Sequence, residues 1–139
     1  MQVTIESIDG PRDLSDRAPI VVDLIREIPG PDRPDYWIAA LTKPFSVVLD
    51  NHEKHITHLV ITARWVGTSI RSGIQHTPVG IAYVTDQAVL TDQRLEFSKC
   101  KYVAIGTATD TSGGKPIIAL KGVLAGRIGS LFGLGKKSD

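Results

Sequence analysis

The 139-residue chain has the length of a single domain whose hydrophobic core needs neither a metal nor a disulfide. Its net charge of +1 argues against a general nucleic-acid binder, and its one cysteine, Cys100, excludes an intrachain disulfide. No apolar run approaches the roughly 20 residues of a membrane span, and no basic region precedes an apolar one at the N-terminus, so we expect no signal peptide. These features predict a soluble, cytoplasmic protein.

The first two elements are short and β-like. In residues 2–8, Val3 and Ile5 alternate with polar side chains, which predicts a strand. Residues 20–28, IVVDLIREI, fit a strand and a helix about equally well. Consecutive β-branched residues favour the strand, and a helix in this place would make the fold α+β instead.

A hairpin follows. Residues 36–41 and 45–49 have the composition of two strand pieces, and the proline between them, Pro44, is restricted to an edge, a bulge or a bend. Residues 50–55 are polar and predict a turn, which leads into the longest alternating stretch of the chain.

That stretch, residues 56–66, has the pattern of a long central strand. Leu59, Ile61, Ala63 and Trp65 fall on one face, which we expect to be buried. On this interpretation Trp65→Ala removes a core aromatic side chain and is among the most damaging single substitutions, at about 3–5 kcal/mol.

The later part of the chain repeats these signals. A polar loop over residues 67–78, long enough to be functional, precedes predicted strands at residues 79–85 and 101–109, and residues 116–120 predict a further strand after a turn. Two strands carry small residues, which favour close coiling of a barrel over the approach of a ligand. They are Gly80, Ala82, Ala104, Gly106 and Ala108.

We therefore predict an all-β fold, a small barrel or two-sheet sandwich of about seven strands, in a domain of residues 1–121. Residues 122–139 form a glycine-rich, amphipathic tail, helical or flexible. Its apolar side chains, together with the edges that an open sheet leaves unpaired, predict a homo-oligomer, with dimers as the expected form. The tail also allows membrane contact, but packing on its own barrel is favoured.

Two groups of reactive side chains lack the pattern of a functional site. His52, His55 and His58 surround Glu53, but their order is not the H-E-x-x-H of zinc proteases, so we predict no metal site and no cofactor. Cys100 stands between two lysines, which lower a thiol pKa when they are close in space. In a strand these neighbours point to the opposite face, so Cys100 is expected to pack as a small hydrophobe.

The remaining candidates are ligand-binding side chains on the outer face of the central strand and in the following loop: His58, Arg64, Arg71 and His76. Arginines beside hydroxyls and backbone N–H groups receive phosphate or carboxylate. His58 and Arg64 lie about 20 Å apart along an extended strand, so they grip one ligand only if the strand bends.

No catalytic set stands out, which leaves two functional hypotheses. The favoured one is a non-enzymatic binding or protein-interaction module. It is motivated by aromatics near prolines that we expect to be exposed, Tyr36 and Trp37, by the apolar tail, and by the lack of a nucleophile–base pair. The alternative is an anion-binding protein or enzyme that uses the face and loop of residues 64–76. A deep pocket would favour the second hypothesis and an apolar patch the first.

Overall fold

Six antiparallel strands close into a barrel in the computed structural model, which describes residues 1–113. Each strand pairs with the next along the chain, and the last pairs with the first. The strands are β1 (Gln2–Asp9), β2 (Ile20–Ile28), β3 (Tyr36–Leu49), β4 (His52–Ala63), β5 (Thr77–Val84) and β6 (Cys100–Asp110). The predicted all-β fold is confirmed, and a closed barrel is the form it takes.

Alternating side chains fill the barrel interior, as the period-two patterns predict. On β4 the inward residues are Leu59, Ile61 and Ala63, all fully or almost fully buried. They meet Ile81 and other aliphatic side chains from the remaining strands. Since burial of apolar surface is the main favourable term in folding, this core is what holds the six strands together.

Residues 20–28 are a strand, and the helical alternative is wrong. Val22 and Leu24 point into the core, and β2 pairs with β1 on one side and β3 on the other. The described helical structure is limited to short pieces: α1 (Arg12–Ser15) and two 3₁₀ turns, Gln87–Leu90 and Phe97–Lys99. None of the described helices is long and apolar enough to cross a membrane.

A second apolar cluster lies outside the barrel, beneath the connection between β5 and β6. Residues 85–99 fold back over the outer surface, and Arg26 ties them down by donating hydrogen bonds to backbone carbonyls of the connection. The cluster explains why β3 and β4 carry apolar residues on both faces. Its buried members are Ile28, Tyr36, Ile38, Val60, Val84, Val89 and Leu95. The expectation that Tyr36 is exposed is therefore wrong, and Trp37 is partly buried against the barrel core.

The two predicted strand pieces around Pro44 form one strand. The pairing of β3 with β4 shifts register between Ala40 and Phe45, so the proline sits in an irregularity, as expected. The β3–β4 hairpin is confirmed, but its turn is shorter than predicted. Asp50 and Asn51 both have positive φ, as the two central residues of a type I′ turn require.

The predicted turn over residues 50–55 is therefore wrong in extent. His52 and His55 belong to β4, paired with Leu49 and Ser46. The prediction that Trp65 is a core residue is also wrong, because β4 ends at Ala63 and the Trp65 side chain is 54 % exposed.

Small residues line the seam where β1 meets β6, as predicted for a closely coiled barrel. A Cβ on Gly106 would lie 2.3 Å from the Ser7 carbonyl oxygen. We expect Gly106→Ala to lower the free energy of unfolding by about 1–2 kcal/mol, because the two backbones must separate to admit the methyl group. Chemical denaturation measures this difference in the free energy of unfolding. Gly113→Ala is the control, since a Cβ at Gly113 would have no neighbouring atom within 4 Å.

Barrel closure leaves no open sheet edge among the six described strands. Unpaired sheet edges therefore give no reason to expect a homo-oligomer, and that prediction depends on the tail alone. The strand predicted at residues 116–120 and the tail of residues 122–139 lie outside the described residues.

Candidate functional site

One end of the barrel is organised by a partly buried guanidinium, that of Arg33 in the β2–β3 loop. Its Nε and Nη2 donate to the two carboxylate oxygens of Asp35, at 2.5 and 2.9 Å. Its Nη1 donates to the Ala63 carbonyl at 2.7 Å, and Nη2 also donates to the Thr68 carbonyl at 2.7 Å. Arg33 thus joins the β2–β3 loop to the end of β4 and the β4–β5 loop; we name these four contacts the Arg33 clamp.

The clamp is a partly buried, charge-assisted contact. Both side chains of the ion pair are only 17 % exposed. The hydrogen bond from Arg33 holds the pKa of the Asp35 carboxyl below its usual value, against an opposing effect of burial. Thr62 adds a hydrogen bond from its hydroxyl to the Asp35 backbone carbonyl at 3.1 Å. Fork-shaped pairing of this kind fixes geometry as well as adding stability.

The clamp supports a tight turn over residues 65–68, here named the tryptophan turn. Thr68 closes it with its backbone N–H and its hydroxyl, which donate to the Trp65 carbonyl at 3.2 and 2.6 Å. Gly67 has φ of +89°, a conformation that glycine adopts without strain. Because Arg33 holds Thr68, the turn is anchored to the barrel and not to its own loop alone.

The tryptophan turn presents apolar side chains to solvent. Val66, at its corner, is 98 % exposed. The Arg64 guanidinium stacks over the half-exposed Trp65 ring at 4.5 Å from the ring centroid. This stacking limits the rotamers of both long side chains while leaving their outer surfaces accessible.

A cavity of about 510 Å³ separates the tryptophan turn from the β2–β3 loop. Asp32, Arg33 and Asp35 line one wall, and Arg64 with residues 66–69 line the other. The Arg33 guanidinium is occupied by the clamp, and the Tyr36 hydroxyl donates a hydrogen bond to Asp32. The cavity therefore offers an anion one arginine, Arg64, opposite two carboxylates.

The structure does not gather the four predicted ligand-binding side chains into this cavity. Only Arg64 lines it. His58 lies lower on β4, where burial lowers the pKa of its imidazole and its Nδ1 is 2.8 Å from the Thr57 hydroxyl. Arg71 is exposed in the β4–β5 loop.

His76 is engaged elsewhere, at the seam between β1 and β6. Its Nδ1 lies 2.9 Å from a carboxylate oxygen of Glu6, and its backbone N–H donates to the Thr109 hydroxyl at 2.9 Å. The Asp110 carboxylate accepts a hydrogen bond from the Gly73 N–H at 2.7 Å. These contacts fix the C-terminal half of the β4–β5 loop against the barrel wall.

No group of three or more His, Cys, Asp or Glu side chains is placed to hold a metal ion within residues 1–113. His52 and His55 are exposed on β4, whereas His58 is partly buried.

Cys100 is partly buried, and burial raises the pKa of its thiol to about 11. We expect an iodoacetamide reaction at pH 8 to be many-fold slower than that of free cysteine, because the thiolate is the nucleophile and is scarce at that pH. A rate equal to that of the free amino acid, measured on native protein by mass spectrometry, would contradict this.

No protein family, curated protein or solved structure gives a significant match to this chain. The geometry of the site is therefore the basis on which its function is inferred. Sequence reasoning singled out Arg64 and the loop after it, but it missed Arg33. The only local signal was Asp35 two residues later; the other two partners are backbone carbonyls 30 and 35 positions away.

Proposed function

We propose that this chain is a non-enzymatic protein-interaction module, which binds a protein partner through the tryptophan turn and Arg64. The observation that carries the proposal is an accessible Trp–Val pair on a turn that the Arg33 clamp holds in place. Trp65 and Val66 lie side by side on this turn, and contiguous exposed apolar side chains, unlike scattered single ones, are typical of interaction sites.

The energetics of such a turn suit a contact surface. Tryptophan and arginine are the residues most enriched among those that dominate interface binding energy. The turn is already closed by Thr68 and anchored by Arg33, so binding orders little additional backbone. Burial of Trp65 and Val66 in a partner pocket then contributes directly to affinity.

The charge of the loop indicates the chemistry of the partner. Residues 64–76 include Arg64 and Arg71 but neither aspartate nor glutamate. The partner surface that complements them is an apolar pocket with a carboxylate near Arg71, the arginine that does not share a cavity with Asp32 and Asp35. A cytoplasmic location, expected from the sequence, belongs to the same proposal.

The alternative, an anion-binding protein or enzyme using residues 64–76, has less support from the geometry. His58, Arg71 and His76 do not line the cavity that Arg64 lines. Arg33 and Asp35 neutralise each other there, and the remaining carboxylate, that of Asp32, offsets the charge of Arg64. We therefore favour the interaction module.

A photo-crosslinking experiment tests the proposal. A benzophenone amino acid replaces Val66, and the labelled protein is irradiated in an extract of the source organism. The captured protein is then purified and titrated with unlabelled wild type and with Trp65→Ala. We expect Trp65→Ala to weaken binding at least about 30-fold, the size of a hot-spot effect.

The control places the benzophenone at Val48, an exposed apolar residue near the opposite end of the barrel. Capture of the same protein from both positions would indicate nonspecific adhesion. Equal affinity of wild type and Trp65→Ala would contradict the proposal, as would a crosslink from position 66 to residues 114–139 of the same chain, which would make the turn an internal contact.

A further inference from the structure

A second cavity, of about 320 Å³, lies at the opposite end of the barrel from the tryptophan turn. It opens where the first residues of β2 face the irregular part of β3, just before the Phe45 register shift. We name it the β2–β3 notch. Its apolar lining comes from Pro19, Ile20 and the buried Phe45 ring. A bulge of this kind commonly aims side chains at a site that a regular strand would not form.

Two cations line the notch, and no carboxylate does. Arg17 approaches from the loop before β2, and Lys43 from the irregular segment of β3. Within the described residues neither has an Asp or Glu oxygen within ion-pair distance, although Arg12, Arg33, His76 and Lys99 each do. The lining itself carries two positive charges and no negative one, while the nearby Asp13 carboxylate accepts a hydrogen bond from the Tyr83 hydroxyl. An anion in the notch would neutralise the two cations.

The guanidinium of Arg17 is held in position without a carboxylate. It lies over the Phe45 ring, 4.3 Å from the ring centroid, and its Nε donates to the Asp13 carbonyl at 2.9 Å. Nη2 reaches the Ser46 carbonyl at 3.5 Å, whereas Nη1 has no acceptor among the described residues. The planar fork is therefore oriented, and one of its donors is available to a ligand.

We propose that the β2–β3 notch binds a small amphipathic anion, namely a carboxylate attached to an apolar or aromatic body. The carboxylate bridges Arg17 and Lys43, and the apolar body rests on Pro19, Ile20 and Phe45. Small-molecule sites combine an apolar lining with a few polar groups that fix orientation, and the notch has this composition. The proposal is independent of the tryptophan turn, since it uses neither that turn nor the Arg33 clamp.

Amide NMR titration with sodium benzoate at constant ionic strength tests the proposal. We expect saturable shifts at Val21, Thr42 and Lys43, with a Kd of about 1 mM, typical of so small a ligand. Lys43→Ala should weaken binding about three- to fivefold, the effect of losing one exposed ion pair, and Lys43→Glu should abolish it. Lys43 is exposed and forms no hydrogen bond or ion pair with another described residue, so its variants should fold normally.

Two further probes and one matched variant complete the test. Inorganic phosphate carries charge without an apolar body, and benzyl alcohol carries the body without charge, so both should bind at least about tenfold more weakly than benzoate. Lys54→Ala removes an exposed lysine that does not line the notch and should leave benzoate affinity unchanged.

Absence of saturable shifts with benzoate would overturn the proposal. Benzoate affinity retained in Lys43→Glu would do the same. Phosphate binding as tightly as benzoate would remove the role of the apolar lining, and benzyl alcohol binding as tightly would remove the role of the two cations.

Discussion

Replacing Arg33 with alanine is expected to lower the free energy of unfolding by about 2–4 kcal/mol. The variant leaves the Asp35 carboxylate partly buried without its cation, and it leaves the carbonyls of Ala63 and Thr68 without this donor. Removing one partner of a buried, hydrogen-bonded pair destabilises more than the pair itself contributes, because the remaining charge keeps its desolvation penalty. Urea denaturation at neutral pH measures the difference.

Arg33→Lys separates charge from geometry. A lysine keeps the positive charge, but it lacks the planar fork that reaches Asp35, Ala63 and Thr68 together. We expect it to recover less than half of the loss. Arg12→Ala serves as the control, because Arg12 forms an exposed ion pair with Asp16 at 3.9 Å, and such pairs contribute little. Equal stabilities of Arg33→Ala and Arg12→Ala would contradict the structural role of the clamp.

The clamp also predicts a dependence on pH. The pKa of Asp35 is lower in the folded protein than in the unfolded chain, where it is about 3.9, mainly because Arg33 donates hydrogen bonds to its carboxylate. The ionised Asp35 carboxylate therefore contributes its full stabilisation above about pH 4. That stabilisation is lost as the pH falls through the pKa of Asp35 in the folded protein, because the carboxylate is then protonated. In Arg33→Ala that part of the acid destabilisation should disappear, and parallel acid titrations of the two proteins compare them directly.

The strands could be predicted because the alternation of apolar and polar residues is a property of each segment by itself. A strand that buries one face must alternate, so residues 2–8 and 101–109 show their period whatever their neighbours are. The Pro44 irregularity was also predictable, since proline lacks the N–H that a regular ladder requires. The six-strand closure was not, because it depends on which strands pair, and pairing is a property of the whole chain.

The functional end of the barrel escaped prediction for two physical reasons. Alternation continues through Trp65, so the sequence alone did not show that β4 ends at Ala63. The partner strand explains the end: Pro78 accepts a hydrogen bond from the Arg64 N–H but has no N–H to return. The Arg33 clamp could not be predicted for another reason. Two of its acceptors are backbone carbonyls, which every residue carries whatever its side chain, so no residue type in the sequence marks them.

Because Trp65 lies beyond the end of β4, the largest loss of stability is now expected from a substitution within the strand and not from Trp65→Ala. Leu59→Ala should now be among the most damaging, lowering the free energy of unfolding by about 3–4 kcal/mol. Leu59 is completely buried within the barrel core, where surrounding strands are held by pairing on both sides and cannot collapse into the cavity. Trp65→Ala should change stability by less than about 1 kcal/mol, since half of its side chain already contacts water.

Chemical denaturation of three variants tests that ranking. Val66→Ala, at a fully exposed position, gives the baseline for a truncation in the tryptophan turn and should lie within about 0.5 kcal/mol of wild type. A loss in Trp65→Ala comparable with that in Leu59→Ala would mean that the tryptophan packs against the chain after all, and it would remove the basis of the interaction proposal. A contact residue is expected to combine a small loss of stability in Trp65→Ala with a large loss of partner affinity. A side chain that contributes to binding but little to folding affects the second quantity and not the first.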